Sequence, residues 1–209
     1  MMMVLPLVVR IERTSPPQRT DALEAAAMAV LGLLADPGEW AGEVEVWEST
    51  GRIRKVVRRA RGAEWERAIA LPGRTIVHRS AEVRVHPPVP LDDWPRDLAR
   101  LQVSGTQLDD TAEYGEPAGV PVLWENPALE MSAGKAMAQA GHSAQLAWWA
   151  TSERDRRAWQ AGGLAVAVRP SPDFGKLADS GLPVVRDAGF TEIAPGSATF
   201  VADAPWLRS

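Results

Sequence analysis

Three polar side chains recur at helical spacing in the last third of the chain. Lys135, Gln139 and His142 stand at positions i, i+4 and i+7, so a helix places them on one face. Ser132 precedes them as a candidate N-cap, and the free N–H groups of the first turn, with the lysine beside them, suit a phosphate or a carboxylate. The alternative is an amphipathic helix whose polar stripe is only solvated.

A second polar cluster follows a short apolar strand. Asp187 comes directly after Val184 and Val185, and Gly189 frees the backbone to turn sharply. A contact between Asp187 and Lys135 would keep the carboxylate ionised and the lysine fixed, whereas the alternative role of Asp187 is to satisfy a turn. Hydroxyl groups then follow at three positions, which are Thr191, Ser197 and Thr199.

These two segments together resemble the signature motifs of the type 2 peptidyl-tRNA hydrolases. The first segment, residues 131–142, reads MSAGKAMAQAGH, and the second, residues 186–199, reads RDAGFTEIAPGSAT. The family usually shows M-x-x-G-K-x-x-x-Q-x-x-H-A and then D-A-G-[RK]-T-[QE]-[IV]-x-P-G-[TS]-x-T. The resemblance covers roughly residues 120–205, with both motifs in the family's order.

The resemblance implies hydrolysis of the ester between a peptide and the terminal ribose of tRNA. It implies that Asp187 orients or deprotonates the attacking water and that Lys135 stabilises the developing oxyanion or binds the terminal phosphate. Thr191 and Thr199 match hydroxyl positions of the family, and we expect all four residues to be catalytic. Gln139, His142 and Ser197 are expected to support them, and this set requires no metal and no cofactor.

Two departures from the family pattern remove positive charge near this site. Phe190 replaces the usual Arg or Lys, and Ala133 stands where many members carry another Lys. Glu192 is an acidic variant of the usual Gln. The net charge of −4 also does not suggest a nucleic-acid binder, because an RNA backbone favours a basic surface.

One segment of the first half could compensate for this loss. Six cations fall between residues 52 and 61, with Trp47 and Trp65 on either side, and could grip tRNA phosphates while the planar groups stack on bases. The alternative is an edge strand that its charges protect from aggregation. The predicted tRNA-binding residues are Arg52, Arg54, Lys55, Arg58, Arg59 and Arg61.

The predicted strands and helices that must position these residues indicate an α/β fold that occurs twice in the chain. Both halves predict the order strand, helix, helical or irregular stretch, strand, short helix, strand, strand. We expect a mixed sheet of about four strands with helices on both faces in each half, and an intrachain pseudo-dimer formed by tandem copies. The predicted boundaries are residues 1–104 for a degenerate first unit, 105–119 for a linker and 120–209 for the hydrolase-like unit.

The composition limits the other possibilities. The chain has no cysteine, so disulfides and thiolate zinc sites are excluded, and its three scattered histidines argue against a histidine-based metal site. No apolar run reaches the length of a membrane span. We therefore expect a cytoplasmic protein without a membrane partner, possible as a monomer because the second unit lies in the same chain.

Three functions remain open from the sequence. The first is a peptidyl-tRNA hydrolase that recycles tRNA in translation. The second is an inactive descendant of the fold that acts as an RNA- or protein-binding module. The third is a hydrolase for another acyl ester or for an aminoacyl-tRNA.

Overall fold

A computed structural model of the protein describes residues 1–51, 53–188 and 192–208, and these form two α/β units in succession. The N-terminal unit contains β1 (Met3–Arg10), α1 (Arg19–Ala35), α2 (Ala41–Ser49), β2 (Lys55–Ala60), α3 (Ala63–Ala70), β3 (Arg74–His78), β4 (Ala81–Val85), β5 (Val89–Pro90) and α4 (Arg96–Ala99). The C-terminal unit contains β6 (Val122–Glu125), α5 (Ala133–Ala150), α6 (Glu153–Ala161), β7 (Ala167–Pro170), α7 (Phe174–Ala178), β8 (Val184–Arg186) and β9 (Ala198–Asp203).

The two sheets have the same topology. The strand order is β2-β1-β4-β3 in the N-terminal unit, with β5 also paired to β1, and β7-β6-β9-β8 in the C-terminal unit. In each sheet the first two strands are parallel, and the other two neighbouring pairs are antiparallel. The predicted fold class, a mixed α/β sheet in each of two similar halves, is therefore confirmed.

The units meet through their long first helices. Helix α1 packs on β3 and β4, α5 packs on β8 and β9, and the two helices pack against each other. Each helix also contacts the parallel edge strand of the other unit, α1 with β7 and α5 with β2. Alanine is the most frequent buried residue in both helices, and such small side chains allow close approach. One continuous hydrophobic core thus crosses from unit to unit.

Gly141 of α5 lies close to the N-terminal unit. A β-carbon added there would lie 3.0 Å from Val30 Cγ2 and 3.3 Å from Lys55 Cδ. A second, smaller core covers the opposite face of the N-terminal sheet, where Trp65 of α3 and Leu98 of α4 pack on Val8. The N-terminal sheet therefore has helices on both faces, as the sequence predicted.

Two further features complete the N-terminal unit. Residues 41–49 form α2, which buries Val44 and Trp47. Helix α1 begins at Arg19, and the Thr20 hydroxyl donates to Asp110 Oδ2 at 2.7 Å.

The segment predicted as a linker, residues 105–119, contains no helix or strand but contacts both units. Tyr114 donates to Asp21 at 2.8 Å, and the Gly115 carbonyl accepts bonds from Arg169. Across the described part of the chain, none of the helices has both the length and the apolar character needed to cross a membrane.

Candidate active site

Lys135 and Asp187 meet at the N-terminal end of α5. Lys135 is the third residue of that helix, which the Ser132 hydroxyl caps by accepting from the Lys135 backbone N–H at 3.2 Å. Asp187 comes directly after β8, and the Lys135 ammonium donates to its Oδ1 atom. The side chains are only 12% and 4% exposed, so this ion pair is shielded from bulk water and its attraction is strong.

Two further side chains hold the carboxylate in place. The Thr199 hydroxyl donates to Gln139 Oε1 at 2.7 Å, which fixes the amide so that its Nε2 points to Asp187 Oδ1 at 3.5 Å. Thr199 is fully buried and Gln139 nearly so. Of the residues that the sequence singled out, the structure thus brings together Lys135, Gln139, Asp187 and Thr199.

Two backbone hydrogen bonds join Asp187 to residues just before β9. The Asp187 N–H donates to the Ser197 carbonyl at 2.9 Å, and the Gly196 N–H donates to the Asp187 carbonyl at 2.8 Å. Gly196 has a φ of +80°, which a side chain would oppose. The Ser197 hydroxyl donates to the Ala194 carbonyl at 2.7 Å, so it stabilises the loop. Thr191 lies outside the described residues.

Glu192 has a contact that the sequence did not predict. Its carboxylate accepts from the Ser132 N–H at 2.8 Å and from the Ser132 hydroxyl at 2.6 Å. An acidic group at a helix N-terminus is favourable, because the N–H groups there carry partial positive charge. The contact joins residues far apart in the chain, so no local sequence signal could have indicated it.

His142 lies away from this pair, at the junction of the two units. Burial, together with the nearby charge of Lys55, lowers the pKa of His142 to about 3. The imidazole is therefore neutral at neutral pH and does not act as an acid there. Lys55 itself donates to Gln145 Oε1 of α5 at 2.7 Å and lies 5.0 Å from the Trp47 ring centre. The sequence-based prediction assigns Lys55 to tRNA binding, and in the structure its ammonium has these partners inside the protein.

The other basic residues of the segment 52–61 lie on both faces of the N-terminal sheet. Arg58 lies over the Trp94 ring and donates to the Ala99 and Leu101 carbonyls, so it covers the smaller core. Arg59 reaches the other way and donates to the Thr106 hydroxyl. Arg54 and Arg61 are exposed, and Arg52 lies outside the described residues.

The N-terminal unit holds a polar cluster that sequence reasoning missed. Ligand-type atoms of Asp21, Glu24 and His78 lie within 4.8 Å of one another, which is close enough for a metal ion. The carboxylates already have other partners, however: Glu24 accepts from His78, from the Val168 N–H at 3.1 Å and from Arg169 at 3.0 Å. Positive charge therefore already faces the carboxylate that would bind a cation.

The fold and this site define a mixed α/β protein with a buried lysine–aspartate pair at a helix N-terminus. The family model described as "Peptidyl-tRNA hydrolase PTH2" matches residues 122–209, which is the C-terminal unit. A protein named "Peptidyl-tRNA hydrolase" from Haloquadratum walsbyi (strain DSM 16790 / HBSQ001) is 35% identical over 86 residues, an alignment that covers 37% of this chain and 77% of the relative. The chain belongs to the PTH2 peptidyl-tRNA hydrolase family.

Proposed function

We propose that the protein hydrolyses the ester bond of peptidyl-tRNA and releases peptide and free tRNA. The observation that carries this proposal is the contact of Lys135 with Asp187, since it joins the two sequence motifs in one largely buried site. Family membership supports the same reaction. We further propose that it acts in the cytoplasm, in tRNA recycling during translation.

In this mechanism the Asp187 carboxylate accepts a proton from water as the water oxygen attacks the ester carbonyl carbon. An ammonium has three N–H groups, so Lys135 can hold Asp187 with one and donate another to the developing oxyanion. Collapse of the tetrahedral intermediate breaks the bond to the ribose oxygen, which takes up the proton from Asp187. Peptide and tRNA then leave with the carboxylate restored.

Gln139 and Thr199 position the carboxylate in this scheme. Thr199 fixes the Gln139 amide, and that amide approaches the same carboxylate oxygen as Lys135. We propose that Thr191 adds a hydroxyl from the loop. Ser197 serves through the loop shape that its bond to Ala194 maintains.

The cations of residues 52–61 that stay accessible are proposed to bind the substrate. Arg54 and Arg61 are exposed, Arg59 is half-buried, and Arg52 belongs to the same segment. Guanidinium groups bind phosphate through paired hydrogen bonds. Lys55 and Arg58 have partners inside the protein and are not included.

One observation favours the inactive, binding descendant. Glu192 occupies the Ser132 N–H and hydroxyl at the start of α5, where an incoming phosphate would otherwise bind. A carboxylate in this position competes with anionic substrate. This alternative predicts affinity for a partner without ester hydrolysis.

The deciding experiment measures release of N-acetyl-aminoacyl groups from tRNA by the full chain. Asp187→Asn and Lys135→Gln should each lower the rate by about 10²–10⁴-fold, the usual contribution of a positioned proton acceptor or oxyanion donor. The matched control is the exposed pair Asp173 and Lys176, 3.0 Å apart in the same unit. Asp173→Asn and Lys176→Gln should leave the rate unchanged, and absence of cleavage by the wild type would support the binding descendant.

A further inference from the structure

A cavity of about 290 Å³ opens at the carboxyl ends of the parallel strands β1 and β2. This edge of an α/β sheet is where such folds commonly bind ligands. Three arginines line the cavity, namely Arg13, Arg59 and Arg61. The remaining lining residues are Ile11, Ala60, Glu64 and Gln102.

The positive charge of this arginine pocket is not neutralised by ion pairs. Within residues 1–51, 53–188 and 192–208, none of the three arginines forms a salt bridge. Glu12 lies nearby but is held by Arg10 at 3.2 Å and by the Gly62 N–H at 3.0 Å. Glu64 is the one acidic residue of the lining, so the pocket keeps a positive balance.

Arg59 connects the pocket to the helix that carries Lys135. Its Nη1 atom donates to the Ser104 carbonyl at 3.2 Å and to the Thr106 hydroxyl at 3.3 Å. The Thr106 carbonyl in turn accepts from the Ala133 N–H, the first residue of α5, at 2.9 Å. The pocket is therefore separated from the start of α5 by a single residue of the connecting segment.

Two of the three arginines have no cationic counterpart in the C-terminal unit. Val57 pairs with Leu7 in one sheet, and Val168 pairs with Leu123 at the corresponding place in the other. Two and four residues beyond Val57 stand Arg59 and Arg61, whereas Pro170 and Pro172 occupy those positions after Val168. Only the unit without the catalytic motifs has these cations.

We infer that Arg13, Arg59 and Arg61 form a phosphate-binding subsite that holds a backbone phosphate of tRNA while the ester lies at Lys135 and Asp187. Guanidinium groups suit this ligand, because their planar forks match phosphate oxygens. The N-terminal unit is then the substrate-binding partner of the C-terminal unit. This inference rests on the proposed hydrolase function for its substrate.

The first test measures binding of uncharged tRNA by fluorescence anisotropy at several salt concentrations. Arg13→Gln with Arg61→Gln should weaken binding about tenfold or more and reduce the salt dependence by about one counterion, as expected for a lost phosphate contact. The control is Arg154→Gln with Arg157→Gln on α6, which removes the same charge from exposed positions. Equal effects of the two double variants would overturn the subsite, and this readout does not depend on hydrolysis.

The second test separates the subsite from the catalytic site. With N-acetyl-aminoacyl-tRNA, Arg13→Gln with Arg61→Gln should raise KM and leave kcat unchanged. With an N-acetyl-aminoacyl ester of adenosine, which has no phosphate to bind, KM should not change. A KM that rises equally for both substrates would overturn the inference.

Inorganic phosphate distinguishes a tRNA phosphate from a free one. It should compete with tRNA for the wild type and compete more weakly for the double variant. Phosphate binding that the variant loses without any loss of tRNA binding would assign the pocket to a free anion and overturn the inference. If neither ester is cleaved but tRNA binding follows the expected pattern, the subsite holds and the hydrolase proposal fails.

Discussion

The same place in the fold holds a lysine–aspartate pair in the C-terminal unit and an acid–histidine cluster in the N-terminal unit. Lys135 and Asp21 are each the third residue of their long helix. Asp187 and His78 each lie two residues beyond a strand residue that packs on that helix, Val185 or Ile76. The acid therefore lies on the helix in the N-terminal unit and on the strand side in the C-terminal unit.

The chain connections beside the lysine–aspartate pair and the acid–histidine cluster also differ. Residues 79 and 80 close β3 to β4 in a tight turn, whereas residues 187–197 join β8 to β9. The tight turn gives Asp21 a direct bond from the Ser80 hydroxyl at 2.5 Å, and Tyr114 donates to its other oxygen at 2.8 Å. In the other unit, described residues of the longer connection bond instead to Asp187 and to Ser132, through the backbone of Gly196 and Ser197 and through the Glu192 carboxylate.

The N-terminal cluster also ties the units together. Glu24 accepts from the Val168 N–H and from Arg169, both in the C-terminal unit, and is 1% exposed. Arg19 adds a two-bond contact with Glu125, at 2.9 and 2.6 Å. Buried polar groups at equivalent positions can therefore serve assembly in one unit and, as we propose, catalysis in the other.

The largest expected difference between the lysine–aspartate pair and the acid–histidine cluster is in the rate of ester hydrolysis. Removing both charges with Lys135→Met and Asp187→Asn should lower the rate of ester release by about 10²–10⁴-fold. The free energy of unfolding should change by only about 1 kcal/mol, because neither charge is left buried without its partner. Urea unfolding beside the release assay checks both numbers. Loss of several kcal/mol of stability would show that the pair is structural, like the N-terminal cluster.

The opposite pattern is expected for Glu24→Gln. This change leaves Arg169 and His78 without their carboxylate in a buried place, so the free energy of unfolding should fall by about 3–5 kcal/mol. The kcat of the folded variant should match the wild type, because Glu24 lies outside the proposed site. Urea unfolding and the release assay at low temperature test this, and a lower kcat with unchanged stability would contradict it.

The pH dependence of stability gives a second readout of Glu24. Burial alone would raise the pKa of this carboxyl, but hydrogen bonds from His78, the Val168 N–H and Arg169 outweigh burial and lower it. A lowered pKa contributes stability that is present above the unfolded value of about 4.3 and is lost as pH falls through the folded value. The wild type should therefore lose more stability on acidification below about pH 4 than Glu24→Gln does.

The sequence predicted the lysine–aspartate site of the C-terminal unit better than the acid–histidine cluster of the N-terminal unit. Lys135, Gln139 and Asp187 stand in motifs with fixed spacing, and the duplicated order of elements placed them on a helix and after a strand. Periodicity alone could not place Lys55, because the exposed Arg54 just before β2 is followed directly by a position that the other unit covers. The sequence pattern does not show what packs on each face.

The cluster of Asp21, Glu24 and His78 could not be predicted for a related reason. It joins residues from a helix and a strand with partners from the connecting segment and from β7, such as Tyr114 and Arg169. The N-terminal half lacks the catalytic motif. Its one usable signal is an acid at the third position of α1 and a histidine at the end of β3, which indicates Asp21 and His78 but not their partners.

A smaller effect is expected from the glycines of the two long helices. At Gly141 of α5 an added β-carbon meets Val30 and Lys55, whereas at Gly32 of α1 it meets nothing within 4 Å. Gly141→Ala should thus lower the free energy of unfolding by about 1–2 kcal/mol through overpacking. Gly32→Ala should raise it by about 0.5–1 kcal/mol, because alanine favours a helix. Equal and stabilising effects of both changes would show that the helices do not pack as closely as described.

The smallest effect expected is on the pH dependence of stability, and it concerns Lys55, a residue of the N-terminal unit that touches α5. Burial lowers the pKa of Lys55 to about 7 despite the opposing charge of Glu48. Between pH 7 and about 10.4 the unfolded chain then binds more protons than the folded protein, so stability rises with pH across this window. Lys55→Met should flatten that rise in urea unfolding midpoints, whereas Lys176→Met, at an exposed position, should keep it. If both variants keep the wild-type rise, Lys55 is charged inside the folded protein and its contact with Gln145 is a charged hydrogen bond across the two units.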